Sequence, residues 1–205
     1  MPTIYYSVDV EATSTNTTDG VLLSVGVVVV REYDYGLKCC ETFYARVNQP
    51  GVIDHGAAEA KVWNPETLDW WLTQEAESPE AFGEVFNRHL VRHDHDVVAR
   101  MLSEFVHETG GTERMCRVFV ANPASYDWQW IDRLFCSAGI ETPFSYRTLC
   151  LRSAAWGHKT TDLAKSIRTT KPLRPHHALD DAAAQAQDLI NLWDEKTHIR
   201  DEVTA

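Results

Sequence analysis

From Ile4 the chain alternates apolar and polar positions. Ile4, Tyr6, Val8 and Val10 share one face of an extended strand, and Asp9 and Glu11 share the other. Thr13–Gly20 is a polar turn of Ser, Thr, Asn, Asp and Gly. Val21–Val30 is almost continuously apolar and rich in valine, which predicts a strand covered on both faces. A turn at Tyr33–Gly36 and alternation over Lys38–Val47 predict a third strand. Three consecutive strands with short links form an antiparallel meander.

The period then changes. Asn48–Val62 reads as a loop with Pro50, Gly51 and Gly56. Asn64-Pro65-Glu66 is a helix start, with Asn as cap and Pro in the first turn. That helix carries Leu68, Trp71 and Leu72 on one face and ends over Glu75–Ser78. Two more helices are expected over Pro79–His89 and His93–Thr109, with Gly110-Gly111 as the stop. Arg117–Ala121 is a short buried strand, Ser125–Ala138 a helix ending at Gly139, and Ser145–Cys150 a fifth strand. Thr161–Ile167 predicts a short helix and Lys171–Pro175 a constrained loop. The last helix runs from His177 or Ala178 to about Lys196, with the apolar stripe Ala182, Ala186, Leu189, Ile190 and Trp193. The order predicts an α/β fold: a five-stranded mixed sheet with helices on both faces. Residues 1–196 form one domain, and Thr197–Ala205 is a polar C-terminal tail.

Composition narrows the class. The chain has 205 residues, 44% hydrophobic and 24% charged, as in an ordinary globular domain. No apolar run approaches the length of a membrane span, and Met1-Pro2-Thr3-Ile4 lacks a signal-peptide core. A cytoplasmic location is therefore expected, with no membrane partner. The five cysteines include the adjacent pair Cys39 and Cys40 and no C-x-x-C motif, so free thiols are expected. A net charge of −11 argues against a broad basic surface for long duplex DNA. It leaves room for a short single strand held through bound metal.

The candidate chemistry is acidic. Asp9 and Glu11 on one strand face lie roughly 6–7 Å apart at their Cα atoms, and two such carboxylates repel unless a cation lies between them. Two further acidic sites occur. Asp127 follows a buried strand in Asn122-Pro123-Ala124-Ser125-Tyr126-Asp127, where open α/β sheets collect ligands. His176-His177-Ala178-Leu179-Asp180-Asp181 opens the last helix. Each position has a competing choice: Asp132 for Asp127, Asp180 for Asp181, and His177 for His176. Helical phase does not separate Asp180 from Asp181. Trp63, Trp70 and Trp71 could stack on a base or fill the core. His89, His93 and His95 read as a solvated helix end, with no metal assigned.

Together, Asp9-x-Glu11, Tyr126-Asp127 and His176-x-Ala-Leu-Asp-Asp181 resemble the DEDDh family of 3′–5′ exonucleases, which includes RNase T, oligoribonuclease and polymerase proofreading domains. The match runs from Ile4 to about Trp193. The segment Thr67-Leu68-Asp69-Trp70-Trp71-Leu72-Thr73-Gln74 is similar to a helix of a small bacterial and phage exoribonuclease branch. The resemblance implies an RNase H-like fold, and hydrolysis of single-stranded RNA (or DNA) 3′ ends to nucleoside 5′-monophosphates. It also implies two Mg²⁺ or Mn²⁺ ions, and a homodimer like RNase T. By the family spacing, Asp9, Glu11, Asp127 and Asp181 are the metal ligands and His176 is the general base. Asp9 would bridge both ions, Glu11 and Asp181 would complete the tighter site, and Asp127 would act partly through water. Ala12, Thr13 and Trp71 would touch the terminal nucleotide.

The chemistry is consistent with that assignment. Carboxylates suit hard ions, a pair of ions can activate water and neutralise a phosphodiester, and histidine can take a proton near neutral pH. Five residues of helix turn through roughly 500°, so His176 and Asp181 would not share a helical face. His176 is therefore expected just outside the helix, at the break favoured by Pro175.

Overall fold

The structure is a computed structural model, and it describes residues 3–48, 63–110, 114–157 and 170–203. Strands β1 (Ile4–Ala12), β2 (Leu22–Tyr33) and β3 (Gly36–Arg46) come first. Helices α1 (Pro65–Glu77), α2 (Pro79–Phe86) and α3 (His95–Gly110) follow. Then come β4 (Arg117–Ala121), α4 (Ala124–Ala138), β5 (Thr148–Cys150), α5 (Leu151–Gly157) and α6 (Ala178–Val203). The sheet order is β3-β2-β1-β4-β5. β1, β2 and β3 pair antiparallel, while β4 runs parallel to both β1 and β5.

The alternation in β1 explains the layering. Tyr6, Val8 and Val10 point into a core with Val25, Val27, Phe119 and the inner faces of α3 and α4. The opposite sheet face buries Val28, Val30, Val118 and Val120 against Ala182, Ala186 and Leu189 of α6. Helices therefore cover both faces, and the unbroken valine run of β2 lies between them. Each fully buried aliphatic side chain contributes roughly 1.5–3 kcal/mol by leaving water. A third cluster joins Leu23 of β2 to Trp63, Trp71, Ala81 and Val85 under α1 and α2. Asn64 caps α1 by accepting from the amides of Glu66 and Thr67. Gly139, at φ 66°, ends α4 in the left-handed conformation that favours glycine.

Several boundaries differ from expectation for identifiable reasons. α3 starts at His95 because the backbone of His93 extends the sheet: it bridges Val47, donates to the Arg46 carbonyl at 2.9 Å and accepts from the Asn48 amide at 2.7 Å. α2 stops at Phe86, where the Asn87 side chain accepts from the His89 amide. β5 is shorter than Ser145–Cys150, since the Ser145 hydroxyl bonds the Arg117 carbonyl and accepts from the Arg147 amide. α1 buries Trp71 and Gln74 and packs Leu68 against the same cluster, whereas Leu72 is 39% exposed and departs from the expected face. α5 has no counterpart among the expected elements, and α6 continues to Val203 through part of the expected tail. The expected helix at Thr161–Ile167 and most of the loop Asn48–Val62 lie outside the described residues. Among the described residues, no helix is long and apolar enough to cross a membrane. All five cysteines are free thiols.

Candidate active site

The face of β1 opposite Tyr6 and Val8 carries Asp9 and Glu11 toward α6. β4 leaves β1 after Ser7, so the Val10 amide has no partner from that strand. Asp127, in the first turn of α4, takes its place: Oδ1 accepts from the Val10 amide at 3.1 Å. The parallel β1–β4 pair brings both strand ends to the same side, where the third carboxylate meets the first two.

The fourth comes from α6. Gly26 pairs with Asp9 across the sheet, and its missing side chain lets the first turn of α6 rest on β2. The Ser7 hydroxyl donates to the Ala182 carbonyl at 2.9 Å, fixing the helix against β1. Asp181 is thereby held over the strand acids. His176 precedes the helix at φ 65°, a strained value for a non-glycine residue. Its loop is anchored by the Ser78 hydroxyl, which donates to the Pro175 carbonyl at 2.8 Å. The Trp70 and His176 rings pack edge to face, with centroids 4.7 Å apart.

Asp9, Glu11, Asp127, His176 and Asp181 line one cleft of about 320 Å³. Ligand atoms of Glu11, His176 and Asp181 all lie within 4.8 Å of one another. The competing residues are engaged elsewhere. Asp180 accepts from Arg174 Nε at 2.7 Å and from the Arg174 amide at 3.1 Å. His177 is buried, with its ring stacked on Tyr44 at 4.7 Å. Asp132 does not line the cleft.

The three residues expected to touch a nucleotide lie differently. Trp71 is 1% exposed inside the third core cluster, with no ring face open to a base. Its neighbour Trp70 is the exposed one, at 39%. Ala12 and Thr13 are buried, and the Thr13 hydroxyl accepts from the Val21 amide at 2.9 Å. The cleft also contains residues that sequence reasoning missed, notably Gln185 and Asp188. Their positions four and seven residues after Asp181 were the available signal, since those positions share a helical face.

The charge balance is unfavourable without a cation. Burial pushes the carboxyl of Asp9 well above its ordinary value, and Asp127, Glu11 and Asp181 push it further. Glu11 is raised in the same way, by burial and then by Asp181 and Asp127. Burial raises Asp127 to about 7, opposed by the Val10 amide. It raises Asp181 to about 6, opposed by the amides of His176 and His177. Burial lowers His176 below the ordinary histidine value, so its ring is neutral at pH 7. Among the described residues, no Lys or Arg lines the cleft. Glu11, Asp181 and the neutral His176 ring form a clustered donor set that suits a divalent ion, and Asp9 and Asp127 add carboxylates to the same cleft.

The family model described as the 3'-5' exoribonuclease Rv2179c-like domain matches residues 5–193. No curated protein sequence matches the chain. Among solved structures, the nuclease domain of 3'hExo, a DEDDh family member bound to rAMP, is 13% identical. It superposes with a TM-score of 0.62 over 94% of this chain and 92% of that one. Escherichia coli exonuclease I in complex with single-stranded DNA is 10% identical, with a TM-score of 0.62 over 94% of this chain. This chain spans only 40% of exonuclease I. Schizosaccharomyces pombe Pop2p, in a form with Mg²⁺ and Mn²⁺ bound, is 11% identical, with a TM-score of 0.57 and coverage of 92% and 82%. These structures share the RNase H-like fold of this chain.

Proposed function

The chain belongs to the Rv2179c-like 3'-5' exoribonuclease domain family, and on that premise we propose that it is a divalent-metal-dependent exonuclease removing nucleoside 5′-monophosphates from single-stranded RNA 3′ ends. The observation that carries this reading is the convergence of Asp9, Glu11, Asp127, Asp181 and His176 on one cleft. The four carboxylates would hold two ions, Mg²⁺ or Mn²⁺, which when bound supply Lewis-acid neutralisation of the phosphodiester and a more acidic water.

The protein's own part is positioning and proton transfer. Neutral His176 accepts the proton of the attacking water. The water oxygen bonds to phosphorus, the bond from phosphorus to the 3′ oxygen of the preceding nucleotide breaks, and that oxygen takes a proton from solvent water as it leaves, while His176 returns its proton to solvent. The released nucleotide keeps the 5′ phosphate. The strained backbone at His176, held by Ser78 and by the Arg174–Asp180 pair, points the ring into the cleft. Exposed Trp70, packed against His176, takes the stacking role expected of Trp71.

Single-stranded DNA is the second reading, favoured by the likeness to exonuclease I in complex with single-stranded DNA. Digesting matched 3′-tailed RNA and DNA side by side with Mn²⁺ separates the two. Mononucleotide release by the parent, lost in Asp9→Ala and His176→Ala, is expected. No release from either substrate would overturn the enzymatic reading.

A further inference from the structure

The cleft face of α6 carries a side chain to which the proposed chemistry assigns no task. Asp181, Gln185 and Asp188 follow at intervals of four and three, so they stack along one helical face, and all three line the cleft. Asp188 Oδ1 accepts from the Thr170 amide at 3.2 Å. Gln185 reaches across to β1: it is 8% exposed, and its Nε2 donates to Asp9 Oδ1 at 2.8 Å. Its Oε1 is buried with no hydrogen-bond partner among the described residues. A buried acceptor without a donor is costly, and α6 could have placed an apolar residue here, as it does one residue later at Ala186.

The residue type is informative. An Arg or Lys beside Asp9 would neutralise the carboxylate and compete with an incoming cation. A Glu would add another repelling charge. A carboxamide does neither: its N–H restrains one Asp9 oxygen, and the remaining lone pairs of that carboxylate stay available to a metal. We infer that Gln185 is a positioning residue that holds Asp9 for a divalent ion.

This rests on the metal-dependent reading, and it is tested first without substrate. Mn²⁺ is titrated calorimetrically into metal-free parent, Gln185→Met and Gln187→Met. Gln187 is exposed on the same helix and bonds Asn191, so its replacement controls for substitution in α6. Gln185→Met is expected to lose about 10–100-fold in Mn²⁺ affinity, the usual effect of removing a group that supports a metal ligand. Its circular dichroism and metal-free Tm should stay near the parent's, and Gln187→Met should bind like the parent. On single-stranded RNA, kcat should fall with KM nearly unchanged. If Gln185→Met does not fold, Gln185→Asn carries the same expectation, because its amide is drawn back from Asp9 by one methylene. Parental Mn²⁺ affinity in a folded Gln185 variant overturns the inference and leaves the nuclease reading standing. A parent that neither binds Mn²⁺ nor releases mononucleotides overturns both.

Discussion

Gly26 of β2 lies directly under Ala178 of α6: a Cβ on Gly26 would come within 2.3 Å of the Ala178 carbonyl carbon and oxygen. The obstacle is backbone on both sides, so no rotamer change relieves it. Because Gly26 pairs with Asp9, this contact sets how closely Asp181 approaches the strand acids.

Gly26→Ala should therefore lift the start of α6 and spoil the site. A loss of about 1–3 kcal/mol in urea unfolding is expected from the overpacking. A fall of about 10²-fold in kcat should accompany it, as for other displacements near 1 Å. A variant that keeps parental activity would show that the helix start does not position Asp181.

The raised carboxyls make a pH-dependent prediction for the metal-free protein. Folded Asp127 and Asp181 hold their protons to about 7 and about 6, whereas in the unfolded chain they release them near ~4. Across that window the folded state binds more protons, so these groups contribute stability at low pH that is lost as pH rises. Asp127→Asn, which can still accept from the Val10 amide, should stabilise the metal-free protein at pH 8 by on the order of 2 kcal/mol. It should have little effect at pH 4. Thermal melts between pH 4 and 8 check this, and Mn²⁺ should raise the parent's Tm most at the alkaline end. An equal effect of Asp127→Asn at both pH values would remove the electrostatic explanation.

Arg174 acts through its neighbour's loop. With two bonds to the Asp180 side chain it closes the segment that displays His176. His176→Ala should lower kcat by about 10²–10⁴-fold, the usual worth of a general base. Arg174→Ala should cost less. In the double variant, Arg174→Ala should add little, because the ring it positions is gone. Additive losses would assign Arg174 a separate role.

The adjacent tryptophans should separate cleanly. Trp71→Ala empties a core position and should cost about 3–5 kcal/mol of stability. Trp70→Ala should cost about 1 kcal/mol or less, yet weaken RNA binding by about 1–3 kcal/mol if a base stacks there. Unfolding and KM measurements on the two variants decide the matter, and the reverse pattern would exchange their roles.

Much of the fold was legible because it depends on short periods. The two-residue alternation of β1 put Asp9 and Glu11 opposite Tyr6, Val8 and Val10. The valine run of β2 announced burial on both faces, and the stripe on α6 marked its core side. These are local consequences of strand and helix geometry, so neighbouring residues are enough to show them. The residues after Asp181 carried the same kind of signal, since Gln185 and Asp188 repeat its helical phase.

Local periodicity did not choose between adjacent residues: the family spacing assigned Asp181 and His176, and the fold shows what occupies their neighbours. Asp180 and Asp181 fit the helix equally well, as do His176 and His177 the turn before it. Arg174 takes one acid across a six-residue turn, and Tyr44 takes one imidazole across long-range packing that no local pattern encodes. Trp71 rather than Leu72 turned inward because α2 and Trp63 built a pocket for it, and α3 started late because His93 was drawn into the sheet. The sequence by itself determined which faces carry charge, since side-chain direction follows from backbone period. Only the tertiary structure decided which charges meet, since that depends on a glycine contact and a strand end brought together by folding.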